Sequence, residues 1–147
     1  MDDGANSHRL RRGRHSELGR IYLITAVTRE RTPWFEDLSN ARCLIRTLIE
    51  AQERGSGDTL AYVVMPDHLH WLFALGDRLP LSNVVGAVKS LSAHRIGHRI
   101  WQTGFHDHAL RREEDVVGIA RYVVANPLRA GLVQSLRDYP HWDAVWL

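Results

Sequence analysis

Apolar and polar positions alternate most cleanly over residues 68–75, HLHWLFAL. Successive side chains of a β-strand point to opposite faces. Leu69, Trp71 and Phe73 therefore define a core face, and His68, His70 and Leu72 share the reverse face. Residues 59–65, TLAYVVM, read as the partner strand, joined through a tight Pro66-Asp67 turn into a hairpin whose return strand carries both histidines. Upstream, residues 21–28, IYLITAVT, read as a first strand on their β-branched content. Over residues 36–54, Leu38, Ala41, Leu44, Ile45, Leu48 and Ile49 fall at helical spacing, which predicts a helix with one buried stripe. The glycines of GSGD, 55–58, end it.

A second helix is predicted over 81–100, with Ser82 or Asn83 as its cap. Residues 101–111, WQTGFHDHALR, are ambiguous, with room for a short fourth strand. Residues 113–126, EEDVVGIARYVVAN, predict a third helix with acidic side chains at its positive end, interrupted by Pro127. The aromatic tail, YPHWDAVWL, is expected to pack back on the domain. The order β-α-β-β-α-β followed by a helix is that of an α+β, ferredoxin-like fold. Two helices then cover one face of an antiparallel sheet, leaving the other for a ligand or the extra helix. Residues 1–18 are polar, basic and aperiodic, and are expected to form a flexible arm before a single domain at 19–147.

A chain of 147 residues is long enough to bury a substantial core. Its hydrophobic content of 44% and charged content of 24% are those of a soluble globular protein. No apolar run approaches the roughly 20 residues that span a bilayer, and the N-terminus lacks the apolar segment of a signal peptide. Cys43, the sole cysteine, excludes an internal disulfide, makes a cytoplasmic location the default and is itself expected in the core. Net charge is only +2, yet Lys89 is the one lysine among 19 basic residues, the rest being arginine. Arg9, Arg11, Arg12, Arg14 and Arg20 crowd the N-terminal segment, and Arg111, Arg112, Arg121 and Arg129 the C-terminal third. Guanidinium groups suit phosphate oxygens, so these clusters permit binding to nucleic acid, although GC-rich codon usage also produces arginine.

Two side-by-side imidazoles on a strand are either a divalent-ion site or unliganded surface histidines, and spacing alone does not decide. Barrel hydrolases with this spacing need over about 200 residues, which excludes them here. In the third helix Tyr122 and Asn126 lie four residues apart, hence on one face. Two readings stand side by side: a core tyrosine with a helix-ending asparagine before proline, or a tyrosine nucleophile with a third, oxygen, ligand. A phenol with a pKa near 10 needs help to attack at neutral pH, and a cation on the attacked phosphate supplies part of it.

At this point two segments carry a resemblance. VVMPDHLHWLF, 63–73, resembles the histidine–hydrophobe–histidine motif of the HUH single-strand endonucleases. ARYVVANPLRAGLV, 120–133, resembles the tyrosine helix of the REP-associated tyrosine transposases, and WQTGFHDHALRREED, 101–115, the segment before it. The resemblance implies the HUH version of the ferredoxin-like fold, with His68 and His70 binding Mg²⁺ or Mn²⁺ and Asn126 completing the site or merely capping the helix. It implies that Tyr122 attacks a DNA phosphate and stays joined to the 5′ phosphate, leaving a free 3′ hydroxyl. Single-stranded or hairpin DNA beside palindromes of bacterial genomes is the implied partner, in the cytoplasm at the nucleoid and away from membranes. A monomer is expected rather than a helix-exchanged dimer.

His108 is a possible supporting residue, its alternative a structural hydrogen bond. Arg9, Arg11, Arg12, Arg14, Arg111, Arg112, Arg121 and Arg129 are candidate DNA contacts. His94 and His98 are expected on one exposed helical face, and the tryptophans mostly in the core. The rival from another class is a domesticated protein that binds hairpin DNA without cutting it.

Overall fold

The structure, a computed structural model, describes residues 20–111 and 116–145. Five strands, β1 (Ile21–Val27), β2 (Gly57–Met65), β3 (His68–Leu75), β4 (His106–Ala109) and β5 (Trp142–Ala144), form one sheet in the order β4-β1-β3-β2-β5. Every pairing is antiparallel. The ferredoxin-like expectation holds, and β3 lies at the centre of the sheet. The ambiguous segment supplies β4, and the aromatic tail supplies a fifth strand that was expected only to pack.

The alternation in β3 sorts the two faces. Leu69, Trp71, Phe73 and Leu75 join Tyr22, Ile24 and Ala26 of β1 and Val64 of β2 in the main core. Two helices close that face, α1 (Leu38–Glu53) through Ala41, Leu44 and Leu48, and α2 (Leu81–Ile96) through Val84, Val85 and Val88. The Trp71 indole, fully buried, donates to Thr59 Oγ1 at 2.9 Å, so its one polar atom is satisfied. Where β2 begins, Gly57 passes directly over Phe73. A Cβ there would lie 2.4 Å from Phe73 Cζ and 2.3 Å from the Ala74 carbonyl oxygen, so only glycine fits.

Helix ends follow their sequence signals with two corrections. Asp37 caps α1, its carboxylate accepting from the N–H groups of Ser39 and Asn40. At α2 the capping position belongs to Pro80, not to Ser82 or Asn83, and no side chain caps it. The helix also stops at Ile96, because Gly97 turns left-handed (φ +92°) and its N–H closes on the Ala93 carbonyl. His98 is thereby off the helix and does not share a face with His94; both are exposed, and the His98 ring lies 4.9 Å from that of Trp34. Cys43 is half-buried rather than a core residue, and burial pushes its thiol pKa up.

The second face is covered by α3 (Val116–Val124), which buries Val116, Ala120, Val123 and Val124 against β2, β3 and β5. The single helix expected over 113–126 is two. The chain turns at Ala125 and resumes as α4 (Asn126–Arg129), where Pro127 sits in the first turn. Proline is tolerated there because first-turn N–H groups have no intrahelical partner. Tyr122 and Asn126 therefore stand on successive helices instead of along one.

Candidate active site

His68 and His70 point to the α3 face because β3 places their neighbours in the main core. Across the sheet His70 lies between Thr25 of β1 and Val63 of β2, and His68 between Val27 and Met65. The two rings approach edge to face, their centroids 4.8 Å apart at 81°. Each ring is fixed through its Nδ1. That of His68 lies 2.7 Å from Asp67 Oδ1, and that of His70 lies 3.0 Å from Thr25 Oγ1. A carboxylate only accepts, so His68 donates to it from Nδ1–H. Thr25 Oγ1, a hydroxyl that both donates and accepts, holds the second ring through the same nitrogen. Such an acceptor behind the ring sets tautomer and orientation in metal-ligating histidines. Arg31 Nη1, 3.6 Å from Asp67 Oδ2, extends this support outward.

Burial, then the neighbouring His68, then the charge of Arg129 push the His70 pKa down to about 4. The ring is therefore neutral at pH 7 and keeps a lone pair to give. Two adjacent imidazoles, each held from behind through Nδ1 with Nε2 left as the outward nitrogen, fit a divalent cation that takes its remaining ligands from water and substrate. Among the described residues no group of three or more His, Cys, Asp or Glu side chains gathers anywhere, so those residues supply no complete metal cage from these types.

Tyr122 projects from α3 on the side away from its buried stripe and is 62% exposed. The next residue, Val123, packs with Val63 and Met65, the β2 neighbours of His70 and His68. The helix that carries the tyrosine is thus seated beside the histidine pair. Arg129 links the two ends: its Cζ lies 3.6 Å from the Tyr122 ring centroid, its Nη1 donates to the Tyr122 carbonyl at 2.7 Å, and its charge is felt at His70. Asn126 is half-buried and opens α4, its carbonyl accepting from the Ala130 N–H.

Directly paired residues share a face, so the β1–β4 register brings His106 (opposite Thr25) and His108 (opposite Leu23) to the histidine face. Both are exposed. His106, not His108, falls in the row of His70, separated from it by Thr25. A cavity of about 200 Å³, lined by Thr25, Val27, Gly104 and His106 among others, opens beside this row. A larger one, about 470 Å³, lies elsewhere, between α2 and the 99–105 segment, where Lys89 Nζ donates to the carbonyls of Gln102 and Gly104.

Arg111 and Arg121 are exposed. Arg9, Arg11, Arg12, Arg14 and Arg112, with the whole arm of residues 1–18, lie outside the described residues. Asp67, Thr25 and the bridging place of Arg129 were not read from the sequence. Asp67 had a signal in its adjacency to His68. Thr25 had none before the β1–β3 register was known.

Residues 19–112 match the family described as IS200-like transposases. The chain belongs to that family. The matched span contains both histidines and β4 and ends before Tyr122. Among characterised relatives, the REP-associated tyrosine transposase of Escherichia coli K12 is 34% identical over 83 residues, 54% of this chain and 50% of that protein. The aligned region thus spans half the length of that relative. A Haemophilus influenzae relative is 23% identical over 146 residues, covering 84% of this chain and 78% of its own. In fold, the chain is similar to a REP-associated tyrosine transposase solved bound to a REP hairpin, with a TM-score of 0.78, 23% identity, and coverage of 97% of this chain and 82% of that one. A Deinococcus radiodurans protein gives a TM-score of 0.55 at 20% identity, covering 84% and 95%.

Proposed function

We propose that this chain is a metal-dependent, single-tyrosine DNA endonuclease and strand transferase acting at hairpins of the REP type. The observation that carries the reading is the histidine pair, tied at both Nδ1 atoms, beside a helix that presents an exposed tyrosine. Tyr122 Oη attacks a backbone phosphorus, forming the Oη–P bond as the P–O3′ bond breaks. The phenolic proton leaves to solvent and the departing 3′ oxygen takes one up. The 5′ phosphate remains on the protein as a phosphodiester, so the bond energy is kept and a second 3′ hydroxyl reverses the step on a new strand. His68 and His70, with Asn126 as a possible oxygen donor, would hold Mg²⁺ or Mn²⁺, which supplies charge neutralisation on the phosphate oxygens. The remaining arginines, Arg111 and Arg121 together with Arg112 and those of the N-terminal arm, are assigned to the DNA backbone. The proposed working unit is a monomer. No described helix is long and apolar enough to cross a membrane.

The test is a denaturing gel with a labelled hairpin oligonucleotide and Mn²⁺. Wild-type protein is expected to yield an adduct carrying the 3′ portion of the strand, mapped by mass spectrometry to the YVVANPLR peptide. Tyr122→Phe keeps the ring and its packing and is expected to bind the hairpin without cutting. Cutting by the phenylalanine variant, or an adduct on another tyrosine, would overturn the mechanism. Hairpin binding without any cutting by the wild type would favour the domesticated binding protein.

A further inference from the structure

Arg129 stands where a straight helix would not bring it. Seven residues separate it from Tyr122, about 10 Å of rise along one helix. The turn at Ala125 shortens that path, and the guanidinium returns to lie 3.6 Å from the centre of the Tyr122 ring. One of its N–H groups, on Nη1, is committed to the Tyr122 carbonyl. A guanidinium has five N–H donors in a rigid plane, so four remain, and the residue is exposed. Anchored at one corner and held over the ring, this plane is restrained before any substrate arrives. A mobile surface arginine offers the same charge without the restraint.

We propose that Arg129 is a catalytic residue of this site, its guanidinium bracing the Tyr122 ring while its free N–H edge receives the non-bridging oxygens of the phosphate under attack. The geometry supports both halves. The anchor to the Tyr122 carbonyl and the contact with its ring hold the cation beside the residue that carries the attacking oxygen, where a phosphate brought to Tyr122 comes near the guanidinium. Phosphoryl transfer builds charge on those oxygens, and a planar, bidentate donor fitted to them stabilises the transition state. This role differs from backbone anchoring, which raises affinity wherever the arginine sits and leaves the chemical step untouched. It rests on the function proposed above.

The experiment compares single-turnover adduct formation at saturating hairpin oligonucleotide, with Kd and melting temperature measured alongside. Arg129→Gln is expected to slow adduct formation about 100-fold or more, the usual effect of removing a preorganised donor to transition-state charge, while Kd stays within about 3-fold. Arg129→Lys, which keeps charge without the plane, should fall between. Guanidinium ion at tens of millimolar should restore part of the rate to Arg129→Ala. Rate loss with an unchanged melting temperature, or rescue by guanidinium, supports the assignment. An unchanged saturating rate overturns it, whatever happens to Kd. Rate loss that comes with a lowered melting temperature and no rescue also overturns it, making Arg129 a brace for the helix break. If wild-type protein forms no adduct, the function proposed above falls and carries this inference with it. If wild type forms the adduct and Arg129→Gln matches it, only the inference falls.

Discussion

The histidine strand and the tyrosine helix are held in opposite ways. β3 has hydrogen-bonded neighbours on both sides, its alternate residues are fully buried, and each imidazole is tied to a partner behind it. Tyr122 sits 62% exposed on a nine-residue helix that turns at once into another, and its contacts with Arg129 are to a surface side chain. The division matches the two tasks proposed for them. An ion site gains from rings locked into one tautomer and one orientation. A nucleophile that must meet a bulky polymer, and then carry it covalently, has to stand in the open.

The comparison is broken most severely at the histidines. His70→Ala or His68→Ala is expected to reduce cleavage about a thousandfold or more, since charge stabilisation by a bound cation is worth several kcal/mol. Hairpin binding should change little, because phosphate contacts supply most of the affinity. A single alanine variant that cuts at the wild-type rate would remove the ion from this strand.

A milder break leaves the rings and frees them to turn. Asp67→Asn and Thr25→Val are each expected to weaken Mn²⁺ binding about 10- to 100-fold, read by electron paramagnetic resonance titration. The loss should be larger for Asp67, whose bond to His68 is charge-assisted. Wild-type affinity in both variants would mean that the pair needs no support from behind. Smaller again is Asn126→Ala, expected to lower the rate less than tenfold because water can take one ligand position. An effect as large as that of a histidine would make Asn126 an indispensable ligand and place both ends of the site under equal constraint.

The smallest effect concerns the far side of β2, where burial pushes the pKa of Tyr139 and Tyr62 up to about 12. An unfolded tyrosine ionises near 10. The folded state therefore favours the neutral phenols, and their contribution to stability is complete below pH 10 and lost as pH rises from 10 through 12. Tyr139 donates to the Val64 carbonyl at 2.5 Å. Tyr139→Phe should lower stability by about 1 kcal/mol at neutral pH and flatten part of the alkaline decline in a urea midpoint series. An unchanged alkaline slope would show that this phenol ionises as freely in the fold as outside it.

What could be read in advance followed from periodicity. The alternation in 68–75 placed both histidines on the face that α3 later covers, and the stripe from Leu38 to Ile49 gave α1 nearly to the residue, although Leu38 and Ile49 themselves are exposed. β5 escaped because three residues are too few for a period. The break at Ala125 escaped because Pro127 looks the same ending a helix as opening one. The partners of the histidines escaped for a different reason. Thr25 lies 45 positions from His70, and nothing in IYLITAVT marks the one threonine that will face it. Sequence position marks Arg129 only as one basic residue in a cluster; its pairing with Tyr122 depends on a turn that sequence spacing hides.

The central position of β3 also decides how the molecule fails. An edge element can come away while the rest of a domain persists, whereas a strand paired on both sides opens only with the whole sheet. The histidine pair therefore opens only with the sheet itself, whereas α3 rests on the sheet through its buried stripe and can leave without breaking a strand pairing. On the function proposed above, a chain with α3 released would keep the histidines and lose Tyr122 from beside them, and would hold DNA without breaking it. Damage to a protein of that function would then end in silence rather than in stray nicks.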